Sequence, residues 1–127
     1  MNLLPACLGG FAALGLGYLG NTAIWRFLGP RGTVWAVPLW EEFVKSSAGV
    51  FAGHLLLVHG LFGLGEACLE ARRGAVGAAS LALASHLCFG LLARSLWKAT
   101  GSFGAAWLGP AAAHLAWNWL VYRLSAR

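Results

Sequence analysis

Four long windows without a single Asp, Glu, Lys or Arg constrain this chain more than any other feature: Leu3 to Trp25, Ser46 to Gly65, Gly74 to Ala93 and Ala99 to Tyr122. Each holds 20 to 24 residues. About 20 apolar residues at 1.5 Å rise cross a ~30 Å hydrocarbon core as one helix. Only 10% of the chain is charged and 59% is hydrophobic, whereas a soluble domain carries roughly 25% charged residues. The expected fold is therefore all-α, a polytopic transmembrane helix bundle of about four spans. Those spans lie at about 3–27, 39–65, 74–97 and 103–123, within a single transmembrane domain, 1–127. The expected location is the cell membrane, as a multi-pass integral membrane protein with membrane lipids as partners.

The net charge of +5 does not imply nucleic acid. The cations come in pairs at the ends of apolar runs (Arg26 and Arg31, Arg72 and Arg73, Arg94 and Lys98, Arg123 and Arg127), where membrane proteins set cations against headgroups. With four spans each side receives two pairs, so the charge count leaves the orientation tied. The first window does not read as a signal peptide: no Lys or Arg precedes it, and it exceeds the usual ~7–15 apolar residues. Cys7, Cys68 and Cys88 have no metal-binding spacing and read as small buried hydrophobes. Gly9, Ala13 and Gly17 form a stripe for close helix packing, as do Gly49 and Gly53. Pro30 and Gly32 mark the first turn, and Pro38 sits just ahead of the second helix. That helix could run on to Arg72, with Gly60, Gly63 and Gly65 as places to bend. Gly109-Pro110 would kink or restart the last span.

An acid or base inside a membrane helix costs roughly 2.5–3.5 kcal/mol on insertion scales, so each one is a candidate for function. Glu41-Glu42-x-x-Lys45 opens the second span, and Lys45 lies within one turn of both acids. Adjacent carboxylates in a poorly hydrated site cannot both ionise cheaply, which leaves one able to take a proton from water. The alternative is an interfacial charge cluster at a helix start. His86 lies mid-way along the third span, as a catalytic group or as a histidine hydrogen-bonded across the bundle. His114-x-x-x-Asn118 places two polar side chains on one face of the fourth. At ~1.5 Å per residue, Glu41, His86 and His114 reach similar depths. Glu66 and Glu70, on a continuous second span, would emerge at its far end, Glu66 tens of ångströms from Glu41, and pair with Arg72 or Arg73 in solvent. His54 and His59 are expected to make interhelical hydrogen bonds.

Glu41-Glu42-x-x-Lys45, mid-helix His86, and Thr100-Gly101-Ser102 followed by His114-x-x-x-Asn118 together resemble the CPBP superfamily of CAAX-processing and bacteriocin-processing intramembrane proteases, with PrsW as a relative. The resemblance covers about residues 38 to 122. Lys45 matches the EExxK of PrsW-like members, and Phe62-x-x-x-Glu66 echoes a second acidic motif of that branch. What the resemblance implies is a glutamic protease. Glu41, supported by Glu42 and Lys45, would activate water. His86 would position that water, while His114 and Asn118 would stabilise the oxyanion, and Glu66 is a second-tier residue. The implied activity is a metal-independent intramembrane endopeptidase acting on a membrane-associated or lipid-modified peptide or protein. No cofactor is required, although zinc held by Glu41, His86 and His114 is an alternative donor set. A catalytically inactive membrane scaffold or immunity protein of the same fold is the competing reading, and proton or ion transport is a third. A homo-oligomer or a partner subunit could complete so small a core. Within this reading Glu66→Gln is expected to matter far less than Glu41→Gln.

Overall fold

The computed structural model describes residues 3–125 and is entirely helical over them apart from short connections. Helix α1 covers Leu4–Ala52, α2 Leu55–Arg72, α3 Val76–Thr100 and α4 Phe103–Ser125. The 49-residue α1 is not one rod. Gly29 adopts φ 60°, ψ −152°, and divides it into a first limb, 4–28, and a second limb, 30–52. Pro30 then opens the second limb, where its missing N–H costs nothing and its fixed φ suits a first helical residue. Glycine at positive φ recurs at Gly53, Gly74 and Gly101, so all four connections use the left-handed conformation that residues with a Cβ avoid.

These breaks correct the expected spans. Residues 39–65 do not form a helix of their own: 39–52 belong to α1, and the chain turns at Gly53 and His54 before α2 starts at Leu55. Gly53 was expected in a packing stripe; instead it ends the helix, donating its N–H to Gly49 and Val50 carbonyls. The first reversal falls at Gly29, so Gly32 and Pro38 lie within helix. The third and fourth expected spans shift by only a few residues, and α4 continues through Gly109-Pro110.

Close contacts fix the directions. Gly9 faces Ala48 and Gly20 faces Trp40, so the limbs of α1 run antiparallel. Gly49 lies against Leu55, Gly63 against His86, Gly90 against His59, and Gly109 against Leu96. Each successive segment therefore reverses. The last closes on the second limb of α1, where Ser46 donates to the Ala106 carbonyl, Trp107 to Leu39 and Asn118 to Thr33. The glycines are what permit these approaches: a Cβ at Gly63 would meet His86 Cβ at 2.6 Å, and one at Gly90 would meet His59 Cβ at 2.7 Å.

The distribution of polarity is inverted. Phe51 is 94% exposed and Phe27 85%, while Glu42, Lys45, Ser46 and His59 are wholly buried. Helices α1 and α3 are long and apolar enough to cross a membrane.

Candidate functional site

Seven ionisable side chains meet inside the bundle, supplied by all four helices. Glu41, Glu42 and Lys45 come from the second limb of α1, His59 and Glu66 from α2, His86 from α3 and His114 from α4. They lie near mid-height: Glu41 is 11 residues from both Pro30 and Ala52, and His114 is 11 from both Phe103 and Ser125, about 16 Å in each direction. Four acids exist in the sequence, and three of them are here.

Lys45 is the hub. Its Nζ donates to Glu42 Oε1 at 2.6 Å and to His86 Nδ1 at 2.9 Å, lies 3.8 Å from Glu41 Oε2, and sits 4.6 Å from the centroid of the Phe62 ring. Spacing had placed Lys45 within reach of either acid; the closer partner is Glu42. An ammonium carries only donors, so His86 must accept at Nδ1 and hold its proton on Nε2. That Nε2–H donates to Glu66 Oε2 at 2.6 Å. His114 donates Nδ1–H to Glu42 Oε1 at 2.8 Å and stacks on Phe89 with ring centroids 4.8 Å apart. Glu42 Oε1 thus accepts from both Lys45 and His114, and the ammonium makes the first of these bonds the stronger. Its other oxygen lies 3.5 Å from His59 Nδ1, without a hydrogen bond in the protein.

Glu41 is less encumbered. Asn21 of the first limb donates to its Oε1, while Oε2 stands 3.8 Å from Lys45 and 4.0 Å from His114. Atoms of Glu41, Glu66 and His86 all lie within 4.8 Å of one another. Points no farther apart than this fit a circle of radius about 2.8 Å, so one oxygen can reach all three at hydrogen-bond distance. These three are also the residues that could hold a metal ion among those described. Bonds of ~2.0–2.2 Å would have to draw them together.

The geometry corrects the sequence reading in four places. Glu66 neither lies tens of ångströms from Glu41 nor pairs with an arginine, because the reversal at Gly53 folds α2 back along α1; Glu70 does pair with Arg73, as expected. His114 is not in the alternative metal set, since its Nδ1 is taken by Glu42; Glu66 replaces it. Asn118 shares a face with His114, but its amide donates to the Thr33 carbonyl and no hydrogen bond brings it to the acids. His114 has its Nδ1–H committed to Glu42, so the two residues expected to meet the oxyanion do not converge on the acids. His59 does not make the expected interhelical hydrogen bond: both its ring nitrogens are buried without a hydrogen-bond partner among the described residues, and Asn21 is a contributor the sequence reading misses. Asn21 is an amide in an otherwise apolar run, the same signal that singles out His86, but no histidine one turn away marks it as His114 marks Asn118.

Exposure shows the way in. Six of the seven ionisable side chains are at most 8% exposed, and Glu66 is 32% exposed. No family model, curated protein or solved structure matches the chain.

Proposed function

We propose that this chain is a multi-pass membrane protein that hydrolyses a peptide bond inside the bilayer, as a member of the CPBP superfamily, with Glu41 as the base. The observation that carries the reading is the Glu41–Glu66–His86 triangle, sized for one water, in an interior whose outer surface is apolar. An apolar exterior around buried charge is the arrangement expected of a protein solvated by lipid.

In this mechanism Glu41, held by Asn21, takes a proton from the water as it attacks the peptide carbonyl, and returns it to the leaving amine. His86 positions the water through Glu66, whose carboxylate accepts both the Nε2–H of the imidazole and the second hydrogen of the water. Lys45 and Glu42 hold the remaining ring nitrogen and His114 in place. A positioned carboxylate base contributes about 10²–10⁴-fold. The substrate is a membrane-associated peptide, which reaches the site past Glu66.

The test is purified protein in nanodiscs with a library of membrane-anchored peptides, read by mass spectrometry. Wild type should cleave, and Glu41→Gln should lose at least ~100-fold with unchanged melting, since Gln cannot accept the proton. Equal activity in the two proteins would remove Glu41 from the role. Cleavage by neither would favour an inactive scaffold. Chelators should leave the rate intact; stoichiometric zinc whose return alone restores activity would convert the triangle from a water site to a metal site.

A further inference from the structure

A groove of about 750 Å³ opens at one end of the bundle, where α1 turns into α2 and α3 nears its end. It lies within the ~300–1,000 Å³ range of small-molecule sites. Its floor is apolar, including Val50, Leu56 and Leu87, and its width comes from Gly49, Gly53 and Gly60, which present no side chain. At its rim stand Arg94, Trp97 and Lys98. Arg94 and Lys98 are four residues apart and so share one face of α3, in its last two turns. Leu87 lies seven residues deeper than Arg94, about 10 Å further into the bundle.

We propose that this groove binds one anionic phospholipid, with its phosphate between Arg94 and Lys98 and an acyl chain running past Leu56 to Leu87. The inference uses the membrane reading and is independent of proteolysis. Charge placement selects the occupant. The other end of the bundle carries Arg26, Arg31, Arg72, Arg73 and Arg123, whereas Arg94 and Lys98 are the cations described at this end, and both border the groove. Two cations converging at headgroup level, beside an indole, suit a negative headgroup; a zwitterionic one would bring its own cation against them. An apolar trough leading inward from that point suits a chain, and a free phosphate would leave it unfilled.

Trp97 supplies the readout. The protein is reconstituted in phosphatidylcholine vesicles containing brominated phosphatidylglycerol or brominated phosphatidylcholine, and tryptophan quenching is followed as the brominated fraction rises. The Trp97 component, taken as wild type minus Trp97→Phe, should reach half-quenching at about a tenfold lower fraction of the anionic lipid. Arg94→Gln with Lys98→Gln should abolish that preference. Val50→Phe, which keeps both cations and fills the trough, should abolish it too. Equal quenching by the two lipids in wild type would overturn the site. So would a preference that survives Val50→Phe, because the cations would then act only as surface charge. Circular dichroism of each variant confirms that the helices are retained.

Discussion

Lys45 and Glu42 have no route to water, and this decides what their substitution does. Removing one member of a buried pair leaves the other charge unpaired, at a cost of about 3–5 kcal/mol, whereas replacing both with apolar groups can be nearly neutral. Lys45→Met is therefore expected to lower stability by about 3–5 kcal/mol, and Lys45→Met with Glu42→Leu by clearly less, in thermal unfolding in detergent. If the double variant is the weaker protein, the pair is not the unit described. Asn21 gives a different signature. Asn21→Ala leaves Glu41 Oε1 without its donor, so its expected cost is about 1–3 kcal/mol in stability and about tenfold in cleavage rate at saturating peptide. Glu66→Gln keeps an acceptor for His86 through its amide oxygen. It should weaken cleavage less than Glu41→Gln does, for a reason opposite to the one the sequence suggested: Glu66 is beside the base and not remote from it.

At the scale of elements, the crossing of α2 and α3 sets the position of both buried histidines on those helices. Gly63 passes His86 and Gly90 passes His59 at distances that leave no room for a methyl. Gly63→Ala should force the helices apart, cost about 1–3 kcal/mol and loosen the bond from His86 to Glu66. The expected readout is a lower melting temperature together with lost cleavage, while Gly77→Ala, at a position open on all sides, changes neither. These elements also show what was legible in advance. Glu41, Glu42, Lys45, His86 and His114 stand out because each interrupts an apolar run, and polarity in such a run survives any error in helix bounds. Glu66 and His59 were misplaced because their positions depend on whether the chain continues or reverses at Gly53. A glycine spaced four residues from Gly49 reads equally well as a packing contact or as a left-handed helix end. Only the backbone conformation, φ 71°, separates the two.

For the whole molecule, that reversal changes the parity of the chain. Four expected spans returned both termini to one side and tied the charge count. The divided α1 with α2, α3 and α4 makes five alternating segments, which sets the first and last described residues at opposite ends. Arg26, Arg31, Arg72, Arg73 and Arg123 then share one end, and Arg94 and Lys98 the other. On the membrane reading, the positive-inside bias places the arginine-rich end and the C-terminus in the cytoplasm. A C-terminal fluorescent reporter should therefore be active and a C-terminal periplasmic phosphatase reporter silent. The reverse result would mean that the charges do not orient this bundle.

The buried network also imposes an order on biosynthesis. Glu42 leaves the ribosome 72 residues before His114, the imidazole that satisfies it, and Lys45 precedes His86 by 41. On the membrane reading, until α4 is made the second limb of α1 carries its acids into lipid with part of their coordination still untranslated. A chain stopped after Gly101 holds every helix but α4, yet it should be cleared by membrane quality control far faster than the complete protein. Lys45→Met with Glu42→Leu should slow that clearance in a pulse-chase, because it removes both buried charges of the pair together. The last helix is thus a release condition for the first.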